Sequence, residues 1–313
     1  MQIYSLQNHS GGYTYSEIQT LPRGAAMVLG FFDGVHLGHA SLISEATEYA
    51  KTAAVPVCVW TFSSLPKAER VITTTGEKLA ALSSLGADCA VIEDFDEVRS
   101  LSPSEFYDDY LIKHFSPCAL FCGFNFRYGK GAEGTTDTLK ASANAHGTRL
   151  FVLPPYEADG MILSSSMIRR LISDGKINDA NRYLVSPFSI TSCVLHGNSL
   201  GQSFGYPTLN QHLPDEKLVP KCAVYVSRVE IDGKTYGGVS DIGRRPTVND
   251  TDNTVLETHV FGYSGDAYGK EVTVTLLSMI REERKFPSVD ALIEQIRTDA
   301  DYAEKYLRGS LEP

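Results

Sequence analysis

The chain is poor in the features that mark membrane, secreted and nucleic-acid-binding proteins. None of its apolar runs is long enough to span a bilayer. Its N-terminus has no basic region followed by an apolar core, so no secretory signal is expected. Positive charge is scarce: 28 Lys and Arg stand against 38 Asp and Glu, a net charge of −10. That balance excludes attraction to nucleic acid or an anionic membrane through bulk charge. Any phosphate site must therefore be local, built from backbone N–H groups and a few cations. The six cysteines, Cys58, Cys89, Cys118, Cys122, Cys193 and Cys222, show neither zinc-site spacing nor a disulfide framework. Cys118 and Cys122, the only close pair, read as small buried thiols. A cytoplasmic location is expected, with no nucleic-acid or membrane partner.

What is present is an ordinary globular composition, 42% hydrophobic and 21% charged, over 313 residues, a length that predicts two domains. The reading is organised around residues 25–50, AAMVLGFFDGVHLGHASLISEATEYA. Ala25 to Phe32 is apolar, and Gly30 allows close backbone approach, as in a buried strand. Asp33-Gly34 signals a tight turn. From Gly38 the spacing becomes helical, with Leu42, Ile43, Ala46, Tyr49 and Ala50 on one face. His36 and His39 therefore stand at a strand-to-helix turn. Free N–H groups and the positive end of the helix dipole favour an anion there, phosphate above all. Two imidazoles add donors for charge developing on a phosphoryl oxygen. A lone histidine at a helix start is more often structural; His36-Leu37-Gly38-His39 behind a buried strand is a rarer pattern.

Through about residue 155, apolar runs at 55–62, 88–95 and 117–124 alternate with helical stretches at 77–86, 102–115 and 138–147. Ser102, Pro103 and Glu105 form a helix-start signature. The alternation predicts a Rossmann-like parallel sheet with helices on both faces and ligands beyond the carboxyl ends of the strands. GFNFRYGKG (123–131) leaves the sheet at that edge, and its aromatics alternate with Asn125 and Arg127. In ILSSSMIRR (162–170) Ser164, Ser165 and Ser166 offer cap hydroxyls, and Arg169 lies in the first turns. That arrangement suits a triphosphate clamp, and equally an ordinary cap beside an exposed arginine.

After Asn181 to Pro187 the pattern changes to short alternating strands at 189–197, 223–233, 234–243, 255–261 and 270–280, with a hairpin signal at Asp232-Gly233. A small antiparallel barrel is expected. A helix from Ser288 to Leu307 follows, striped by Leu292, Ile296, Ala300, Ala303 and Leu307. In GNSLGQSFGYPTLN (197–210) the glycines free the backbone to wrap an anion. Thr208 and Asn210, two apart on extended chain, point the same way. Two neutral oxygens suit Mg²⁺, which keeps waters and takes its remaining ligands from phosphates; a polar turn entering a strand is the plainer reading. Glu257 shares a face with Val255, His259 and Phe261, either poised in a site or at the solvent edge.

HLGH resembles the His-x-Gly-His signature of nucleotidyltransferases. GFFDGVHLGH resembles the opening motif of the prokaryotic bifunctional riboflavin kinase/FMN adenylyltransferase (FAD synthetase) family. Over residues 25–307 further segments agree in order. GFNFRYG is similar to the family's Gly-x-Asp/Asn-Phe-x-Phe-Gly, SSSMIR to its Ser-Ser-Thr-x-Ile-Arg, and GYPTLN to its Gly-x-Pro-Thr-x-Asn. VLETHVF and IREERKF (280–286) match as well. The resemblance implies an FMN adenylyltransferase domain over 1–185 and a riboflavin kinase domain over 186–313. For adenylyl transfer it implies His36, His39 and Arg169 as catalytic. Gly30, Phe32, Gly38, Ser165 and Ser166 would lie at the nucleotide, and Phe62, Asn125 and Arg127 at the flavin. For the kinase it implies Glu257 as general base, and Gly197, Gly201, Gly205 and Pro207 at ATP. Thr208 and Asn210 would hold Mg²⁺, and Arg281 would close the flavin site. ATP is then co-substrate, and riboflavin, FMN and FAD are substrates and products. The oligomeric state is left open.

Three positions depart from the family pattern. TFSSLPKAER (61–70) keeps Phe62 and Pro66 but lacks the histidine of the usual Pro-His-Pro, which puts FAD synthesis in question. Asp241 stands where asparagine is common, and Val185 where glycine is usual. Two other readings stay open: one silent module, leaving chiefly a riboflavin kinase, and a flavin- or nucleotide-binding regulator.

Overall fold

The computed structural model describes residues 1–9, 12–15, 23–63, 70–196, 205–244 and 254–309. It divides into two compact units, Met1–Ser165 and Ser166–Pro313.

The first unit is a seven-stranded sheet in the order β2-β1-β5-β4-β3-β6-β7. The strands are β1 (Gln2–His9), β2 (Gly12–Tyr15), β3 (Ala26–Leu29), β4 (Val57–Phe62), β5 (Cys89–Glu93), β6 (Ala119–Gly123) and β7 (Arg149–Leu153). Every pairing is parallel except β1 with β2. β1 and β2 give no strand signal in the sequence, because QIYSLQNH and GYTY lack a continuous apolar run. From β3 the chain builds outward through β4 and β5, then returns to β3's other side with β6 and β7. The switch point of the sheet thus falls between β3 and β6, where ligand crevices form in such folds.

Apolar periodicity sets the layers. Helix α1 (Leu37–Ala53) buries Leu42, Ile43, Ala46 and Ala50. Helix α2 (Thr75–Ser84) starts with reciprocal bonds between Thr74 and Glu77. Helix α3 (Glu105–Ile112) has π geometry and runs on through Lys113–Phe115. Its wider turn brings Phe106, Tyr107, Tyr110 and Leu111 inward together. The expected cap forms: Ser102 N–H donates to Glu105 (2.7 Å) and Glu105 N–H to the Ser102 hydroxyl (3.3 Å). Helix α4 (Thr136–His146) precedes β7. Trp60 packs edge-on against Phe106 at 5.3 Å between centroids, a contact that adds about 1 kcal/mol beyond its buried area.

One polar chain crosses this core. Trp60 Nε1 donates to the Tyr110 hydroxyl (3.0 Å), which donates to Glu93 Oε1. Glu93 Oε2 is buried without a hydrogen-bond partner. Burial pushes the Glu93 carboxyl up to about 8; the Tyr110 bond opposes the shift and Glu97 adds to it.

The second unit is a closed barrel in the order β10-β11-β14-β13-β12-β15, after a short hairpin, β8 (Glu157–Ala158) and β9 (Met161–Ile162), that ends the first unit. Its strands are β10 (Ser189–Leu195), β11 (Thr208–His212), β12 (Ala223–Ile231), β13 (Lys234–Arg244), β14 (Thr254–Val260) and β15 (Glu271–Glu282). β10 pairing with β15 closes it. Asp232 (φ 49°) and Gly233 (φ 72°) make the expected tight hairpin between β12 and β13. The barrel interior is filled by side chains, and a short hydroxyl chain runs through it: Ser240 donates to Ser227, and it shares a bond with Thr258, both at 2.8 Å. Helices α5 (Ser165–Ser173) and α6 (Ile177–Tyr183) precede the barrel. Residues 166–183 pack on it: Lys221 N–H donates to Ile172 O (3.3 Å) and Asn181 Nδ2 to Leu276 O (2.8 Å). The compact units therefore part twenty residues before the change of pattern read from the sequence. Helix α7 (Val289–Leu307) starts at Ser288, whose hydroxyl accepts from Ala291 N–H.

A protonated Glu93 has a measurable signature. Its carboxyl moves from the ordinary 4.5 to about 8 on folding, so the folded state holds a proton that the unfolded chain releases between those values. The stabilising contribution is complete below about pH 4.5 and is lost as pH rises through about 8. The melting temperature of Glu93→Gln minus that of the parent should rise by ~5 °C between pH 6 and pH 9. Calorimetry reads the difference, and a pH-independent gap would contradict the protonated carboxyl.

Candidate active sites

In the first unit the chain leaves β3 and turns into α1 under unusual constraint. Phe32 takes a left-handed backbone (φ 56°) with its ring buried. A Cβ on Gly30 would lie 2.8 Å from that ring, so glycine is required there. The Asp33 carboxylate accepts from Ile72 N–H (2.7 Å) and Thr73 N–H (3.3 Å). The Asp33 carbonyl accepts from the Ser165 hydroxyl (2.8 Å), and Gly34 N–H donates to Thr73 Oγ1 (3.0 Å).

His36 caps α1. His39 N–H donates to His36 Nδ1 (3.4 Å), and His36 N–H donates to His39 Nδ1 (3.3 Å). The rings stack 3.7 Å apart, and Phe32 meets His39 edge-on at 5.1 Å. A Cβ on Gly38 would come within 3.1 Å of the His36 ring. Since each Nδ1 accepts a main-chain N–H, each ring carries its proton on Nε2. Burial lowers His36 to about 4. Burial, then His36, then Lys78 hold His39 well below its usual range. At neutral pH the turn presents two neutral rings, each with one Nε2–H donor, at a helix N-terminus.

The neighbouring strands carry the rest of this edge. Phe62 ends β4, half-buried, with Phe31 stacked on it at 6.2 Å. Asn125 and Arg127 are exposed on the loop after β6, while Phe126 packs onto the core. So His36, His39, Gly30, Phe32, Gly38 and Ser165 come together, and Phe62, Asn125 and Arg127 follow the strands on either side of β3. Ser166 is exposed and Arg169 half-buried on α5, in the second unit. Residues 64–69, including Pro66, lie outside the described residues.

In the second unit, register builds the site. Glu257 on β14 lies directly opposite Asn210 on β11 and Asp241 on β13, so the three side chains form a row on the barrel's outer wall. Thr208 lies opposite His259, and His259 Nδ1 is 2.9 Å from Pro207 O, which pins the Tyr206-Pro207-Thr208 segment to β14. Two cavities meet here. One, of about 440 Å³, runs between Pro207–Asn210 and Tyr263–Tyr268. The other, of about 400 Å³, lies between the barrel wall and α7, with Glu257, Asp241 and Arg281 on one side and Leu292, Ile296 and Ala300 on the other. Thr208 borders both. Gly205 has φ 84°; Gly197 and Gly201 lie outside the described residues. Asn210 Oδ1 and Asp241 Oδ1 are buried without a hydrogen-bond partner. Burial, then Glu283 and Glu257, push Asp241 up to about 7, with Arg281 opposing. Among the described residues no cluster of three or more His, Cys, Asp or Glu could hold a metal.

Three further residues shape these sites, and no sequence motif assigns them a role. Asp299, 3% exposed, binds Arg281 through Nε (3.2 and 2.9 Å) and Nη2 (2.9 Å), and Gln295 donates to it. Asp299 falls on the apolar stripe of α7, three past Ile296 and seven past Leu292, which was the available signal. Lys78, 2% exposed, likewise falls on the buried face of α2 with Ala81 and Leu82. His259 gave no signal, because its bond to Pro207 depends on strand register.

Comparison with known proteins accounts for both units. A family model described as FAD synthetase matches residues 18–167, and one described as riboflavin kinase matches residues 184–307. The bifunctional riboflavin kinase/FMN adenylyltransferase of Bacillus subtilis (strain 168) is 33% identical over 293 residues, covering 90% of this chain and 92% of that protein. Its namesake from Pseudomonas fluorescens is 34% identical over 284 residues, covering 88% and 91%. A crystal structure described as a macrolide-efflux protein from Streptococcus pneumoniae has a TM-score of 0.83 and 31% identity, covering 90% of this chain and 94% of that one. That description names a transport role; no helix among the described residues here is long and apolar enough to cross a membrane. Spanning both matched models and aligned with these relatives over nearly all of its length, the chain belongs to the bifunctional riboflavin kinase/FMN adenylyltransferase family.

Proposed function

We propose that the chain converts riboflavin to FAD in two ATP-dependent steps, one in each half, with functional modules at 1–185 and 186–313. The observation that supports this reading is that each half has its own cluster of groups suited to phosphate. In the first it is the paired Nε2–H donors at the start of α1. In the second it is two cavities meeting at Thr208, beside Glu257 and Asn210.

In the kinase step Glu257 takes the proton of the ribityl hydroxyl as that oxygen attacks the γ-phosphorus of ATP, giving FMN and ADP. The apolar wall of α7 and Arg281 receive the flavin, and the cavity beside Pro207 receives the nucleotide together with Gly197, Gly201 and Gly205. A hard divalent cation fits Thr208 and Asn210: both offer neutral oxygens on one strand face, and Asn210 Oδ1 is otherwise unpartnered. Mg²⁺ bound there supplies charge neutralisation at the phosphates.

In the adenylyl step an FMN phosphate oxygen attacks the α-phosphorus of ATP in line, the α–β bridging bond breaks, and FAD and pyrophosphate form. His36 and His39 donate to the developing charge, and the N-terminal amides of α1 add to it. Ser165, Ser166 and Arg169 hold the polyphosphate, with Gly30, Phe32 and Gly38 shaping the turn. Phe62, Asn125 and Arg127 hold the flavin. Positioning and electrostatics suffice, so no side chain becomes covalently modified. A cytoplasmic location suits these small-molecule substrates.

Incubation with riboflavin, ATP and Mg²⁺, followed by chromatography, should show FMN and then FAD; neither product defeats the proposal. His36→Ala should leave FMN formation intact and lower FAD formation ~100-fold. Glu257→Ala should stop phosphorylation of riboflavin while supplied FMN is still adenylylated. Loss of both activities in either variant argues against separate sites. Asp241 gives a further test. Its carboxyl rises from the ordinary 3.8 to about 7 on folding, so its stabilising contribution is complete below about pH 4 and lost as pH rises through about 7. Without divalent ions, Asp241→Asn should melt ~5 °C above the parent at pH 8, with little gain at pH 5.

A further inference from the structure

Lys78 is a buried cation in an unusual place. Helix α2 places it at the carboxyl edge of the parallel sheet, 2% exposed. Its Nζ donates to Phe62 O (2.6 Å) at the end of β4, to Phe31 O (3.3 Å) just past β3, and to Thr61 Oγ1 (3.4 Å). It also lies 4.4 Å from the centroid of the Phe31 ring. All of these partners are neutral. Burying an ammonium group against neutral oxygens is costly, and an apolar side chain of similar length would fill the space more cheaply. Stability alone therefore does not explain the residue.

Its surroundings do. The carbonyls it grips belong to Phe31 and Phe62, the stacked pair beside the histidine turn. The charged and titratable groups facing it across that turn are Asp33 and His39, with His36 stacked on His39. The Asp33 carboxylate accepts from the N–H groups of Ile72 and Thr73 and its charge acts on Lys78. We infer that Lys78 is a positioning residue for adenylyl transfer, which clamps the ends of β3 and β4 beside the histidine turn and places a fixed positive charge within electrostatic reach of His39. This inference rests on the adenylyl-transfer reading of the first unit.

Two effects follow. The clamp sets the spacing between the Phe31–Phe62 pair and the turn into α1, and so the distance over which the two substrates meet. The charge disfavours protonation of His39, one of the three causes that hold that ring neutral. The Lys78 charge also favours the arrival of polyphosphate at the turn, where it adds to the Asp33 carboxylate that already faces the ammonium. Burial lowers Lys78 itself to about 8, with Asp33 opposing the shift, so the ammonium form prevails at neutral pH.

The test uses the full chain, with FMN formation from riboflavin as an internal control because Lys78 belongs to the other unit. The variants are Lys78→Met, which keeps length without charge, Lys78→Gln as a second neutral side chain, and Lys78→Arg, which keeps the charge. In Lys78→Met and Lys78→Gln, FAD formation from supplied FMN and ATP should fall at least ~30-fold in kcat, with FMN formation within twofold of the parent. The acid limb of their residual FAD-forming activity should move to higher pH by about half a unit, since a histidine pair relieved of a neighbouring cation protonates more readily. Lys78→Arg should keep the parent's acid limb and recover part of the rate. Full FAD formation in either neutral variant overturns the inference. So does a lowered rate with the acid limb unmoved in both, which would make Lys78 a packing residue only. A parent that forms FMN but no FAD instead refutes the adenylyl-transfer reading on which the inference stands.

Discussion

The exchange of hydrogen bonds between His36 and His39 is the constraint on which the first unit's chemistry depends. A helix start leaves N–H groups without partners, and most helices satisfy them with a serine, threonine or acidic cap. Here two imidazoles do it, each accepting the other's main-chain N–H through Nδ1. Protonating either ring at Nδ1 would break the cap, so helix geometry and the neutral state support each other. The rings are left with one donor each. Their neighbours follow from the same requirement: Gly38 because a Cβ would strike the His36 ring, and Gly30 because the Phe32 ring fills that space. The turn follows β3 at the switch point of the sheet, the edge where such folds open a ligand crevice.

The second unit solves a different problem. A six-stranded barrel is too narrow to hold a ligand inside, and its interior is closed by side chains and the Ser227–Ser240–Thr258 hydroxyl chain. Binding space must therefore be made on the outer wall. Helix α7 provides one side of it. Its apolar stripe stays half-buried at Leu292, Ile296 and Ala300 because it faces a cavity rather than a core. The Arg281–Asp299 pair ties that helix to β15. Thr208 lines both cavities, so they share one wall.

Much of this was legible because local pattern and function coincide. The apolar run at 25–32, the turn at Asp33-Gly34 and the helical spacing after Gly38 located the histidine turn without any tertiary information. The alternating strands after residue 187 gave the barrel. What the sequence hid depends on register or on long-range pairing. β1 and β2 carry no continuous apolar run; β2 lies at the edge paired only with β1, and β1 joins the sheet through β5, more than eighty residues further on. Asp241, Glu257 and Asn210 form a row only because β11, β14 and β13 pair in one register. The tautomers of His36 and His39 follow from bonds that composition cannot reveal.

Lys78 and Asp299 lie between these cases and explain one another. Each occupies a helix position where periodicity calls for an apolar side chain. Each is almost fully buried, and each reaches the edge of a proposed site. A buried charge is weak ground for stability, because desolvation offsets much of what its partners return. What such a charge supplies is geometry: Lys78 has a fixed set of oxygens to grip, and Asp299 has the guanidinium of Arg281. An apolar residue at either place would pack as well and orient nothing. The break in an otherwise regular apolar stripe is thus informative in itself. In both halves of the chain the charged residue on the wrong face of a helix marks where the fold gives up some stability to hold the edge of a proposed site in place.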